Sequence, residues 1–334
     1  MQHQEIVFAG KGRIELAPVA DVPPLGRSEV RGPTLATLIS PGTELAWATG
    51  DSFPIRPGYA SVFTAEEIGP DVAGIAPGDR LFSMGPHRSV QQVGARFTVK
   101  LADGMASATA LIARLMGVSI TTLMTTAARP GDLVVVAGVG PVGYLAAHQF
   151  VLAGYEVLVV EPDAGRRALL AANGLTSVAA MPVDDPAIAG KVALVVECSG
   201  HEASVLGGCR VVRPFGEVVM IGVPWRRQTE IFAHELVQAI FQRFVILRSG
   251  WEWELPIVGR DFRWEELLEG YNNAQQTIFT GFAKALKWLE AGRIPHREQL
   301  RAVDPRAAAE VYRALAAREI GELFLYYDWT QLRG

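Results

Sequence analysis

Cysteine is almost missing from this chain: Cys198 and Cys209 are the two in 334 residues. Two cysteines exclude a disulfide framework and a four-cysteine zinc lobe. A basic tract is missing as well. With 31 Lys and Arg against 35 Asp and Glu the net charge is −4, which speaks against nucleic acid or an anionic membrane as partner. Residues Met1 to Leu16 mix Gln, His, Glu, Lys and Arg with apolar side chains and carry no apolar export core, so the cytoplasm is the expected location. Long hydrophobic runs are scarce. Met105 to Ala128 contains one charge, Arg114, and is long enough to span a bilayer. It is rich in Ser and Thr, however, contains Gly117, and has neither an aromatic belt nor an asymmetric basic flank. A pair of buried helices is expected there, with no membrane partner. Internal repeats and low-complexity tracts are absent.

What remains is the composition of a well-buried globular protein, 49% hydrophobic and 20% charged. Its length favours two domains. The most informative stretch is 133–161. Leu133 to Ala137 reads as a buried strand running into Gly138-x-Gly140-x-x-Gly143, followed by an apolar helix from Pro141 to Ala153 and a second strand, Glu156 to Val160. Each part has a task in a dinucleotide site. Gly138 permits the turn, Gly140 keeps side-chain atoms away from a pyrophosphate, and Gly143 lets helix and strand pack closely. Pro141 and Val142 open the helix, whose positive dipole end faces the phosphates.

Glu161 lies eighteen residues beyond Gly143, where an acid meets the adenosine ribose diol and repels a 2′-phosphate. That pattern points to NAD rather than NADP. Arg166 and Arg167 are expected on the next helix as solvated charges.

The first hundred residues look β-rich, with short strands at Glu5–Phe8, Arg13–Leu16, Thr34–Ile39, Ser61–Ile68 and Arg80–Phe82 between Pro and Gly punctuation. From about 106 to 255 strands and helices alternate: helix Ala164–Asn173, strand Val192–Glu197, helix Glu202–Val211, strands Glu217–Ile221 and Phe244–Arg248. Alternation implies a doubly wound parallel sheet. Near Trp264 the pattern turns helical. Phe279–Ala291 and Pro305–Ala317 are amphipathic helices, and Glu322 to Tyr327 is strand-like. A β-rich start and a returning end suggest one discontinuous domain built from both.

These features together resemble the medium-chain dehydrogenase/reductase superfamily, which contains the zinc alcohol and polyol dehydrogenases. The resemblance rests on Val30 to Glu44 with its Ile-Ser-Pro-Gly-Thr-Glu run, Pro57-Gly58-Tyr59, Gly69 to Arg80 and Arg129 to Gly143. Val195 to Gly200, Val219 to Gly222 and Gly321 to Leu325 complete it. It implies an α/β fold: a Rossmann domain over 113–256 and a GroES-like catalytic domain over 1–112 and 257–334. It also implies a homodimer, for which Trp251–Val258 is a candidate sheet edge. Ser199, Gly222, Ser249 and Gly250 become cofactor neighbours beside Gly138, Gly140, Pro141, Val142, Gly143 and Glu161.

Departures from the pattern decide the chemistry. Zinc members place a cysteine before Gly-[Thr/Ser]-[Asp/Glu] and then a Gly-His-Glu; here those positions hold Pro41 before Gly42-Thr43-Glu44, and Gly58-Tyr59-Ala60. The usual third-ligand region, Ala110 to Arg114, offers no Cys, His, Asp or Glu. Catalytic zinc needs about three N, S or O protein ligands, so no metal is expected. Another group must then supply the proton or positive field at the substrate oxygen. Tyr59 stands at the old histidine position, Thr43 matches the hydroxyl that relays the proton in zinc members, and His87 carries an imidazole, a side-chain type suited to proton exchange. Each has a plainer role: Tyr59 fills the vacated volume, Thr43 caps a helix or holds ribose, and His87 is an exposed loop residue. Cys198 and Cys209 look structural; Trp47, Trp251 and Trp253 line either a pocket or an ordinary core. The expected activity is zinc-independent hydride transfer between NAD(H) and a small-molecule secondary alcohol or ketone such as a polyol, a cyclitol or a larger hydroxylated compound. Quinone or enone reduction, and NAD binding without catalysis, are the alternatives.

Overall fold

The computed structural model describes residues 3–252 and 277–333. Gln4–Gly10 (β1) and Arg13–Pro18 (β2) form an antiparallel hairpin. In Glu29–Leu38 (β3) burial alternates from Val30 to Ala36, the period-2 signature of a strand with one face on a core. Pro41–Thr49 (α1) follows, then Ser61–Thr64 (β4), Glu67–Ile68 (β5), Arg80–Ser83 (β6), Val90–Gly94 (β7) and Thr98–Lys100 (β8). The single strand expected over Ser61–Ile68 is therefore two. The break comes where backbone bonds leave in different directions, Ala65 to Asp79 and Glu66 to Arg31.

Ser107–Leu111 (α2) and Ala113–Thr125 (α3) are the helix pair read from the long apolar run. Together they are the one stretch among the described helices long and apolar enough to cross a membrane, and 61% of it is buried inside the protein.

Then comes the alternating segment: Leu133–Ala137 (β9), Pro141–Leu152 (α4), Glu156–Val160 (β10), Ala164–Ala172 (α5), Thr176–Val178 (β11) and Val192–Glu197 (β12). Glu202–Val211 (α6), Val212–Met220 (β13), Ala233–Arg243 (α7) and Ile246–Ser249 (β14) follow. Its six strands are all parallel in the order β11-β10-β9-β12-β13-β14. Counted from β9, that is 3-2-1-4-5-6, the doubly wound dinucleotide-binding order. Val134 to Val136 and Leu194 to Val196 are wholly buried, as strands covered on both faces must be.

The chain closes with Ile278–Glu290 (α8), Leu300–Val303 (β15), Ala308–Ala316 (α9) and Phe324–Asp328 (β16). Tyr326 to Asp328 of β16 pair antiparallel with Ala36 to Leu38 of β3. This places the C-terminal strand inside the N-terminal sheet, ordered β15-β16-β3-β4-β6-β8, with β5 and β7 also paired to β3. Two units result: Met1–Arg114 with Phe282–Gly292 and His296–Gly334, and Leu115–Gly281 with Arg293–Pro295. The expected helical pattern near Trp264, Trp253 and the expected boundary at 256/257 all lie outside the described residues. Two helices, α1 and α7, and the strands β7, β8, β11 and β15 were not expected from the sequence.

Candidate functional site

In the parallel-sheet unit the cofactor candidates gather at the carboxyl ends of five strands. Gly138 follows β9, Glu161 follows β10, Ser199 follows β12, Gly222 follows β13, and Ser249 and Gly250 close β14. Gly138 has φ of +88°, which a side chain would strain. A Cβ on Gly143 would sit 1.9 Å from the Gly138 carbonyl oxygen, so helix α4 can lie this close to the strand end only with glycine there. Gly140 is different. A Cβ there would meet nothing within 4 Å, leaving open space at the helix N-terminus. Gly140 is also the N-cap and supplies no capping side chain, with Pro141 opening the helix. The first-turn N–H groups near Val142 are thus left for an outside acceptor. Those residues fit the pyrophosphate of a dinucleotide.

Glu161 is buried, and each carboxylate oxygen already accepts one backbone bond: Oε2 from Val139 N–H at 2.8 Å and Oε1 from Asp163 N–H at 2.9 Å. The acid therefore ties the fingerprint loop to the end of β10, and its remaining lone pairs are what a ribose could use. Arg166 and Arg167 do lie on the next helix, α5. Arg166 is exposed, but Arg167 is not merely solvated: it donates to the carbonyls of Glu161 and Pro162 at 2.9 and 2.7 Å. Cys198 is held well above the usual thiol range by burial and then by the Glu197 charge, and Cys209 is wholly buried on α6. Neither is a reactive thiolate.

In the other unit Tyr59 and Thr43 come together. The half-buried Tyr59 hydroxyl bonds the Ser40 hydroxyl. Burial raises the phenol above its ordinary range; the Arg114 charge pulls it down, the Glu44 charge raises it, and hydrogen bonds with Ser40 and Thr43 lower it. Trp47 meets the Tyr59 ring edge-on, centroids 6.1 Å apart. Of the other tryptophans proposed for a pocket, Trp251 is exposed.

His87 is the correction. Expected on an exposed loop, it is completely buried. Nδ1 lies 2.8 Å from Thr37 Oγ1, and Nε2 lies 3.2 and 3.3 Å from the two oxygens of Glu44. Thr37 in turn accepts from Trp329 Nε1 at 2.9 Å. Trp329 can only donate and a carboxylate can only accept, so Trp329 donates to Thr37 and Nε2–H to Glu44. Glu44, also wholly buried, accepts further bonds from Tyr312 O–H at 2.5 Å and Ser40 N–H at 3.1 Å. Burial and the neighbouring Glu44 charge push the Tyr312 hydroxyl well up. His87 therefore faces this internal carboxyl. The sequence reading missed Glu44, although it sits in the Gly42-Thr43-Glu44 run.

Among the described residues no three His, Cys, Asp or Glu side chains assemble as a metal site. Pro41 starts helix α1, Ala60 is buried, and the nearest donor pair, Glu44 and His87, is already bonded to itself and to Tyr312. This donor set does not fit zinc.

No protein-family model matches the chain. Galactitol-1-phosphate dehydrogenase from Escherichia coli superposes with a TM-score of 0.79 over 97% of this chain and 99% of that one, at 13% identity. This chain has the medium-chain dehydrogenase/reductase fold. A zinc-binding dehydrogenase, so named provisionally, from Sinorhizobium meliloti shares that fold (TM-score 0.77, 98% and 99% covered, 19% identity) and was solved bound to NADP. By sequence, a protein provisionally named D-xylulose reductase from Agrobacterium fabrum is 27% identical over 139 residues. That match spans 39% of this chain and 39% of the relative's length.

Proposed function

We propose that this medium-chain fold is a zinc-independent dehydrogenase/reductase that moves a hydride between NAD(H) and a secondary alcohol or its ketone, of the polyol or cyclitol kind. The observation that carries it is the open Gly140 at the uncapped N-terminus of α4, set at the strand ends of a 3-2-1-4-5-6 sheet. The carboxylate of Glu161 favours a ribose diol over a 2′-phosphate. Sequence similarity to a protein named for xylulose supports the substrate class.

When bound, the nicotinamide supplies or accepts the hydride. What the chain must supply is control of the proton at the substrate oxygen, and Tyr59 suits it. Burial keeps it a phenol, ready to protonate an oxygen gaining charge as its carbonyl is reduced. The Tyr59 O–H donates to the Ser40 hydroxyl, so the two share a proton path toward a substrate oxygen, and Thr43 holds a further hydroxyl nearby.

The test is an assay of NAD and NADP against panels of polyols, cyclitols, ketones, quinones and enones, with elemental analysis of protein purified without added metal. NAD-linked alcohol oxidation that survives chelation, with far less than one zinc per chain, is expected. Tyr59→Phe should lower kcat by about a hundred- to ten-thousand-fold with NAD affinity kept. One zinc per chain whose removal stops turnover, or turnover confined to quinones with NADPH, would overturn the proposal.

A further inference from the structure

Arg114 is the single charge in the Met105 to Ala128 run, and it is buried, 3% exposed, in the first turn of α3. A buried guanidinium is retained in an apolar helix only where it is well engaged. Its Cζ stands 4.6 Å from the centroid of the Tyr59 ring, and its Nε donates to the Tyr59 carbonyl at 3.2 Å. The same guanidinium lies 5.8 Å from the Phe282 ring. Arg114 thus grips Tyr59 at both backbone and ring, beside the phenol that hydrogen-bonds Ser40.

We infer that Arg114 is a positioning residue for Tyr59: it fixes the plane of the ring and stabilises the negative charge that grows on the phenol oxygen as its proton leaves. This rests on the reading of Tyr59 as the proton carrier. A positive charge held in a water-poor site acts strongly on charge developing nearby and needs no reorganisation as the proton moves. The charged groups facing the phenol are Arg114 from α3 and Glu44 from α1, acting in opposite senses; Ser40 and Thr43 add hydroxyls and Trp47 an aromatic edge. Removing Arg114 leaves Glu44 unopposed, so proton loss from Tyr59 becomes harder.

The experiment uses the full chain labelled with ring-¹³C tyrosine, with the Tyr59 signal assigned by its loss in Tyr59→Phe. In Arg114→Met the Tyr59 titration should move upward by about one pH unit or more, and the matching limb of the kcat–pH profile should move with it, KM for NAD unchanged. Arg114→Lys, which keeps the charge and loses the planar fork, should return most of the shift. If Arg114→Met does not fold, Arg114→Gln keeps a donor for the carbonyl and should show the same upward shift. A folded Met or Gln variant with the Tyr59 titration unmoved overturns the inference. The NMR titration needs no turnover, so a shift in protein inactive on every substrate panel leaves this inference standing and removes the proposed activity.

Discussion

Removing the Glu44 carboxylate should cost the β-rich unit more than any other single polar deletion described above. Three donors bear on it: Ser40 N–H at 3.1 Å, Tyr312 O–H at 2.5 Å, and His87 Nε2 shared between both oxygens at 3.2 and 3.3 Å. His87 and Glu44 are wholly buried, and Tyr312 nearly so. In Glu44→Ala these donors lose an acceptor where water cannot easily replace it. An unsatisfied buried donor costs about 1–3 kcal/mol, and more where the acceptor it loses was charged. Because the donors share one acceptor their costs do not add in full, and about 3–5 kcal/mol is the expected total. At about 2–4 °C per kcal/mol for a unit of this size, the melting temperature should fall by roughly 10 °C. Glu44→Gln is the sharper variant. Its amide oxygen still accepts, but its NH₂ must face a donor, so it should recover only part of the loss. Thermal melts by circular dichroism, with NAD affinity measured below the transition, check this. A Glu44→Ala melting temperature within 2 °C of the parent would refute the account of Glu44 as the hub of the network.

Gly143→Ala should weaken NAD binding and lower stability by about 1–3 kcal/mol, since the added Cβ would collide with the Gly138 carbonyl; fluorescence titration with NADH reads the first and denaturant melts the second, and unchanged affinity would be contrary. Glu161→Ala should narrow the preference for NAD over NADP, and it should also destabilise by about 1–3 kcal/mol because Val139 and Asp163 lose their acceptor; a parent that prefers NADP would oppose the ribose assignment. Burial lowers the pKa of His148, on α4, from 6.5 to about 4. The unfolded chain then takes up a proton before the folded one does, so stability is full above about pH 6.5 and falls as pH drops toward 4, by about 3 kcal/mol. Urea melts at pH 7 and 4.5 should show that loss in the parent and much less of it in His148→Gln.

The doubly wound unit was legible because its signals are local. Val192–Glu197 and Glu202–Val211 came out with the bounds read from the sequence, as continuous apolar strands and periodic helices permit. The missed helix α1 begins Pro41-Gly42, which reads as a break, yet Pro at the first helical position suits a helix start. Helix α7 buries none of its residues fully: Leu236, Ala239 and Ile240 pack against the sheet core while Val237 and Phe241 are exposed, so apolar residues on both faces blurred its stripe. His87 was misread for another reason. Its partners Thr37 and Glu44 are 50 and 43 residues away in sequence, and Glu44 reaches Tyr312 across 268. Nothing near His87 in the chain announces that environment. Arg114 likewise is the one charge of an apolar run in the sequence, and its partner Tyr59 lies 55 residues away.

The polar groups of the β-rich unit sort by what already satisfies them. Thr37, Glu44, His87, Tyr312 and Trp329 are mutually bonded and nearly or wholly sealed from water, so they hold chain segments together and are poorly placed to exchange protons with a substrate. Thr43 and Tyr59 are only half-buried. Ser40 belongs to both sets: its N–H is bonded to Glu44 and its hydroxyl to Tyr59. The internal network therefore acts on the proposed chemistry by holding the backbone that carries the Ser40 hydroxyl. A metal ion would fix the reacting oxygen by coordination; a phenol can do so only if its own position is fixed, because small misplacements of a reacting group cost large factors in rate. Ser40 from one side and Arg114 from the other supply that constraint on Tyr59. A rigid internal carboxyl behind the Ser40 and Tyr59 hydroxyls is what the proposed metal-free chemistry asks of this unit.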